Sequence, residues 1–458
     1  MSSEIVNVSR TTDDPQTGQD KQSVTDEPTM ADEKVEYASP YHQDAFGNEE
    51  FAEVKYKVLK WWQCSLLMIA ETISLGILSL PAGVAGLGLV PAVIILVGLG
   101  ILATYTAYVI GQFKWRYPHI SNMSDAGEVL MGWFGRELLF TGQMLYLVFI
   151  MGSHILIFSQ ALNSISSHGT CTIVFGIIGL IISFIFSLPR TLAGMTWLSL
   201  ASFISIVAAV LTTMIAVGIQ NKGAAVKATV DTDLVTGFVS VSNIVFSHST
   251  FFAMIAELRN PRDFPRVVVT LQTVDISIYI VTAVVIYYYA GDSVASPALG
   301  SAGPLASRIA YGVALPTIVI SGVVYGHVAF KAIYVRIFAH TDRIHKQDFV
   351  AVSSWIGIAL SLWIIAWIIA SAIPVFSNLL SLMSALFGSW FTYGLPAIFW
   401  LYMNRSHWFS SPKKVALTLV NTLALCVGII VCGLGLYTSG KAIHDQPGGK
   451  TFSCANNL

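Results

Sequence analysis

Charge is what this sequence lacks. Of its 458 residues only 11% are Asp, Glu, Lys or Arg, against 54% of hydrophobic types and a mean hydropathy of +0.68, whereas a soluble domain carries about 25% charge. A chain this poor in charge cannot cover itself with a hydrated surface, so its bulk belongs in lipid. The net charge is −1 and the basic residues are scattered over loops, leaving no basic face for nucleic acid and excluding that partner. The five cysteines, Cys64, Cys171, Cys426, Cys432 and Cys454, show no C-x-x-C spacing, which argues against a zinc site or a disulfide framework. Enzyme chemistry has no motif either: Ser, His and Asp occur, but not as a nucleophile elbow or a metal-ligand set. No short apolar core with a cleavage site opens the chain, so the first membrane helix, near Trp61, is expected to direct insertion itself.

What charge there is lies unevenly. Residues 1–60 hold six Lys/Arg against thirteen Asp/Glu, and the remainder nineteen against thirteen, or −7 and +6. Residues 1–43, rich in Ser, Thr, Asp, Glu and Gln, bury too little to offset the entropy of ordering. They read as a disordered cytosolic tail open to cytosolic regulators. The segment 44–60 differs, because Phe46, Phe51, Val54 and Tyr56 give it something to bury. Two readings stand for it: a short surface helix leading into the bilayer, or a strap beneath the membrane body that controls entry from the cytosol.

A span needs about 20 apolar residues to cross some 30 Å of hydrocarbon. Eleven segments qualify: 61–84, 87–112, 138–165, 171–189, 192–219, 236–257, 266–290, 304–333, 349–370, 374–402 and 414–438. The chain is therefore expected to be an all-α integral membrane protein. Loops rich in Lys and Arg stay in the cytosol; with the N-terminus inside, seventeen basic residues fall on the cytosolic side and five outside. This favours a cytosolic N-terminus and an extracellular C-terminal tail over residues 439–458. Cys171 and Cys454 are then the only cysteines on the oxidising side. A bridge between them and a pair of unpaired thiols both remain open.

Two spans carry helix-disrupting residues at mid-depth. The first has Ser74-Leu75-Gly76-Ile77-Leu78-Ser79-Leu80-Pro81, and the sixth has Ser247-His248-Ser249-Thr250. An opened helix exposes backbone N–H and C=O groups that lipid cannot satisfy, so such breaks belong in protein or against a wet cavity. They occupy equivalent places in two five-span sets, 61–219 and 236–402. An odd number of spans per set makes the two sets run in opposite directions, the inverted-repeat arrangement of many transporters. Helix 414–438 is extra.

These strings resemble a known family. GILSLPAG (Gly76–Gly83) is similar to the first-helix motif, and FSHSTFFAMIAELRNPRDFP (Phe246–Pro265) to the sixth-helix motif, of the amino acid/auxin permeases, which share the LeuT-like fold. The WWQ start and the run MIAETISLGILSLPAG (residues 68–83) are most similar to the fungal neutral amino-acid permeases of that family. The resemblance covers about residues 44–440 and implies amino-acid transport with no cofactor beyond a coupling ion.

An amino acid is a zwitterion and needs donors for its carboxylate and acceptors for its ammonium group. Helix ends supply both. The N–H groups of Gly76, Ile77 and Leu78 are expected to meet the carboxylate, and the carbonyls of Thr72, Ile73, Ser74, Val245, Phe246 and Ser247 the ammonium; the resemblance implies the same placement. Phe246, Phe251 and Phe252, with Tyr146, Phe149 and Ile150, are candidate walls for an apolar or aromatic side chain. No Lys or Arg lies in the central part of a span, so neutral substrates are expected. Glu71, His248 and Asp275 are ionisable groups inside spans, where they are costly and default to function; they are the candidate proton carriers, against a reading as polar clasps. Span 8 offers Thr317 and Ser321 but no adjacent hydroxyl pair, a thin oxygen supply for sodium. Glu257, Arg259 and Asp263, with Arg266, form a candidate inner gate. The reading is a proton-coupled importer of neutral amino acids in the plasma membrane, with an amino-acid receptor signalling through its tail and a sodium-coupled transporter as alternatives.

Overall fold

The computed structural model describes residues 55–190, 195–220, 226–338, 341, 348–445 and 451–454. The expectations for residues 1–54 lie outside that set. All regular structure among the described residues is helical apart from one isolated bridge, Leu59 to Leu258. The helices are α1 (Trp61–Leu87), α2 (Leu89–Arg116), α3 (Met123–Ser166), α4 (Thr172–Phe186), α5 (Met195–Gln220), α6 (Leu234–Asn243), α7 (Phe251–Glu257), α8 (Phe264–Ala290), α9 (Pro304–Ile337) and α10 (Phe349–Ala372). They are followed by α11 (Phe376–Met383), two π-helical turns (Ser384–Gly388 and Trp390–Gly394), α12 (Leu395–Met403) and α13 (Pro412–Asp445).

Local chemistry starts several of these helices. The side chains of Asn122, Asp233 and Asp348 accept hydrogen bonds from first-turn amides of α3, α6 and α10, satisfying donors that a helix start leaves orphaned. α3 begins well before the expected 138 because a separate short helix, residues 123–131, is joined to the span across a kink at Gly132, whose φ of 65° only glycine adopts readily. α4 stops at Phe186, with Pro189 three residues on; a proline both lacks its own N–H and disfavours helix in the residue before it.

Nine helices among the described residues are long and apolar enough to cross a membrane, where eleven spans were expected. The two that fall short are α4, curtailed near Pro189, and the sixth segment, which is divided into α6 and α7 by the irregular chain Ile244–Thr250. Burial sorts the long helices. The most apolar stretches of α1, α3 and α9 are 83% buried, while those of α10 and α13 are 28% buried. The first group forms the centre; the second keeps Ile364, Ile365, Leu419, Leu423 and Ile430 exposed, as a lipid-facing helix must. α1 packs against α5, α6 and α8, and α3 against α9 and α10, so the middle of α1 lies where both halves of the chain meet.

Candidate functional site

The divided helix builds the site. Non-helical backbone at membrane depth needs side-chain partners, and it has them: Thr392 Oγ1 donates to the Phe246 carbonyl at 2.7 Å, and Gln143 Nε2 donates to the Ser249 carbonyl at 2.6 Å. Beside the break lies a cavity of about 60 Å³. Its walls are Glu71, Thr72, Leu75, Gly76 and Leu80 of α1, Tyr146 and Ile150 of α3, and the chain Asn243–Ser247; Tyr279 of α8, Tyr325 of α9, and Leu380, Met383 and Ser384 close it. Binding pockets for small molecules span roughly 300–1,000 Å³. The cavity is smaller than that range.

α1 differs from expectation. It is helical without interruption from Trp61 to Leu87, with Pro81 inside. In an α-helix each N–H bonds the carbonyl four residues back, so the N–H groups of Gly76, Ile77 and Leu78 are taken up by the carbonyls of Thr72, Ile73 and Ser74. The groups assigned to the substrate's two charges bond each other. Three of the carbonyls here receive a second donor. Ser321 Oγ donates to Ala70 O (2.7 Å), Tyr325 Oη to Glu71 O (3.4 Å) and Tyr279 Oη to Thr72 O (2.6 Å). Of the acceptors expected at the sixth span, the Phe246 carbonyl is likewise occupied, by Thr392.

Of the expected site residues, Glu71, Thr72, Gly76, Tyr146, Ile150, Phe246 and Ser247 converge on the cavity, and Val245 joins them. Ser74, Ile77, Leu78, His248, Phe251, Phe252, Phe149 and Asp275 are not among its lining residues. Phe251 stacks on His248 (4.2 Å between centroids) and Phe252 packs on Phe113 and Phe399, so both are core aromatics behind the break. The three ionisable candidates are all buried but sit differently. Glu71 faces the cavity; Asp275 accepts from Thr72 Oγ1 at 2.8 Å; His248 Nε2 lies 3.4 Å from Gln272 Nε2; and each keeps one polar atom without a partner, Glu71 Oε1, Asp275 Oδ1 and His248 Nδ1.

Sequence reasoning missed Tyr279, Tyr325, Asn243 and the α11 residues. One signal was available: Tyr279 and Tyr325 stand four residues after Asp275 and Ser321, on the same helix face as polar groups already singled out. Ser202 of α5 was also missed. Its hydroxyl bonds Thr317 Oγ1 (2.9 Å) and Ser321 Oγ (3.3 Å), joining the two hydroxyls expected on span 8.

Of the expected inner-gate quartet, Asp263 pairs with Arg266 as anticipated, while Glu257 and Arg259 find other partners. Glu257 forms a buried ion pair with Lys331 at 2.7 Å, not with Arg266; Arg266 pairs with Asp263 at 3.4 Å on the surface. Arg259 Nε donates to the Val58 carbonyl at 3.1 Å. The reason is that the chain before α1 lies against the end of α7. Leu59 N–H donates to Glu257 O (3.0 Å), and Arg259 N–H to Leu59 O (2.9 Å), while Lys331 Nζ sits 4.0 Å from the centre of the Tyr56 ring. Burial pushes the Tyr56 phenol up to about 12, keeping it neutral. On the opposite side, a disulfide joins Cys171 to Cys454. No group of three or more His, Cys, Asp or Glu among the described residues could hold a metal ion.

The sequence pattern of the family described as "Transmembrane amino acid transporter protein" matches residues 57–440. The chain belongs to that family. It is 38% identical over 419 residues to the N amino acid transport system protein of Neurospora crassa, covering 88% of this chain and 89% of that one. It is 30% identical over 459 residues to a transmembrane transporter of Gibberella moniliformis, covering 94% and 96%. Among solved structures, a substrate-bound, outward-open Na+-coupled sialic acid symporter is similar with a TM-score of 0.51 at 12% identity, over 84% of this chain and 90% of that one. That likeness is one of fold alone. The protein is thus a multi-pass membrane amino-acid transporter of LeuT-like fold, and neither its family nor its relatives are enzymes.

Proposed function

We propose that the protein imports neutral amino acids, aliphatic and aromatic, by proton symport across the plasma membrane, alternating between outward- and inward-open states around α1 and the α6–α7 break. In this reading α4 and the divided α6–α7 segment count as spans, giving eleven, with five-helix repeats at 61–219 and 236–402, a cytosolic N-terminus and an extracellular C-terminus. One observation carries it: the cavity is walled by apolar and hydroxyl side chains with one amide, Asn243, a single carboxyl, Glu71, which this reading gives to the proton, and no cation. A site that selects charged side chains needs a fixed counter-charge for them. Here the walls beside Tyr146, Ile150, Phe246 and Met383 suit an uncharged one.

The closed α1 gives the cycle its moving part. Gly76, Ser79 and Pro81 weaken the helix at the cavity; opening it there frees the N–H groups of Gly76–Leu78 for the carboxylate and carbonyls of Thr72–Ser74 for the ammonium, opposite Val245 and Ser247. Glu71 is the proposed proton carrier, since protonation removes the cost of burying its charge. Sodium is less well supported. The hydroxyls of Ser202, Thr317 and Ser321 and the Ala70 carbonyl are bonded to one another, four oxygens where a hard cation takes about six.

Counterflow in proteoliposomes tests the reading against that of a receptor. Vesicles preloaded with an unlabelled neutral amino acid are expected to take up labelled substrate, with competition by aliphatic and aromatic amino acids and none by Lys or Glu. Binding without exchange would favour the receptor.

A further inference from the structure

We propose that the crevice between α2, α12 and α13, at the Arg116–Lys413 end of the bundle, binds the phosphate-bearing headgroup of an anionic membrane lipid. The crevice has a volume of about 570 Å³ and is lined by Arg116, Lys413 and Lys414 together with Tyr105, Trp400 and Asn404; no acidic side chain lines it. Its floor is fixed by Asn421 Nδ2, which donates to the Tyr105 hydroxyl at 2.6 Å and ties α13 to α2. Lys414 is held in place, hydrogen-bonded to Asn404 Oδ1 and 5.5 Å from the centre of the Trp400 ring. Arg116 and Lys413 are exposed.

Several cations elsewhere are paired. Lys227, Arg136, Arg266, Lys331 and Arg336 each face a carboxylate within 3.4 Å. Here none is at hand: α2 contains no acid, and no Asp or Glu occurs between Asp348 and Asp445. A basic pocket between membrane helices attracts a phosphate headgroup at close quarters. The surface beyond the crevice identifies the rest of the ligand. Ile101 on α2, on the same helix face as the crevice-lining Tyr105, Tyr108 and Gln112, is 63% exposed, an apolar position against which an acyl chain lies once the headgroup is seated. Trp408 and Phe409 are exposed beside the basic loop, where aromatic residues mark the membrane–water interface. A free phosphate has no use for either feature. Only the choice of leaflet, the cytosolic one, rests on the orientation proposed above.

The test is lipid binding to the full chain by native mass spectrometry, adding phosphatidylinositol or phosphatidylcholine, with no substrate or gradient present. A failed transport reading therefore leaves this result standing. Phosphatidylinositol is expected to bind in preference. Arg116→Gln with Lys413→Gln is expected to weaken it roughly thirtyfold, and Lys413→Gln alone about fivefold. Arg116→Lys with Lys413→Arg should retain binding, which guards against a folding defect. Lys60→Gln with Arg262→Gln removes the same charge from exposed positions elsewhere and should leave binding unchanged. Equal loss in both Gln pairs, no preference over phosphatidylcholine, or displacement by glycerophosphate as effective as by the lipid would overturn the proposal.

Discussion

Gly76 and Tyr279 form a pair whose coupling can be calculated in advance. A Cβ added at Gly76 would come within 2.7 Å of the Tyr279 hydroxyl oxygen, the atom that donates to the Thr72 carbonyl at 2.6 Å. Gly76→Ala must therefore push the phenol off its acceptor inside a buried site. Losing that bond and stranding the hydroxyl costs about 1–3 kcal/mol, while replacing a helical Gly by Ala returns about 1 kcal/mol. The net expected effect is neutral to about 2 kcal/mol destabilising. In a Tyr279→Phe background the hydroxyl is gone and the nearest ring carbon is 3.3 Å away, so the same Gly76→Ala change should become stabilising by up to about 1 kcal/mol. The interaction energy of the cycle is expected at about 1–3 kcal/mol. The assay is chemical or thermal unfolding of the four purified proteins in one detergent, alongside substrate affinity. An equal cost of Gly76→Ala in both backgrounds would refute the reasoning, because it would mean the hydroxyl is not what Ala displaces.

Three further outcomes are expected. Glu71→Gln mimics a protonated carboxyl, so counterflow should survive while accumulation against a gradient is lost; retained accumulation would move the coupling role to His248 or Asp275. Glu257→Gln removes the carboxylate charge facing Lys331 in a site where Glu257 is 2% and Lys331 8% exposed, and is expected to cost up to about 3–5 kcal/mol, with Glu257→Gln plus Lys331→Met recovering much of it; unfolding midpoints check both. Denatured protein labelled with maleimide should show three reactive cysteines, Cys64, Cys426 and Cys432, before reduction and five after it.

The sequence was most informative where polar or helix-breaking residues stood inside apolar runs. The cluster Ser247–Thr250 lies within the irregular chain between α6 and α7, where side chains from distant segments, Thr392 and Gln143, take up backbone carbonyls of the break. The string Ser74–Pro81 carried a similar signal, yet α1 runs through it, because Tyr279, Tyr325 and Ser321 from α8 and α9 brace its carbonyls. No pattern local to α1 reports donors more than 200 residues away. The same limit explains Glu257: its partner Lys331 lies 74 residues on, whereas the expectation considered only Arg266, nine residues away. Phe251 and Phe252 follow the break directly, but helix geometry turns them into the core while Tyr146 and Ile150 of α3 face the cavity. Spacing of apolar residues locates helices well; which face meets which neighbour is decided by packing between distant segments.

Proton-driven uptake is the claim on which the account turns, and one measurement bears on it most directly. Purified protein in sodium-free proteoliposomes, given a radiolabelled neutral amino acid and an imposed pH gradient with the outside acidic, is predicted to accumulate substrate above the external concentration and to lose it on adding a protonophore. Accumulation driven only by a sodium gradient at uniform pH, with none under the pH gradient, would contradict the assignment of Glu71 and of the coupling ion together.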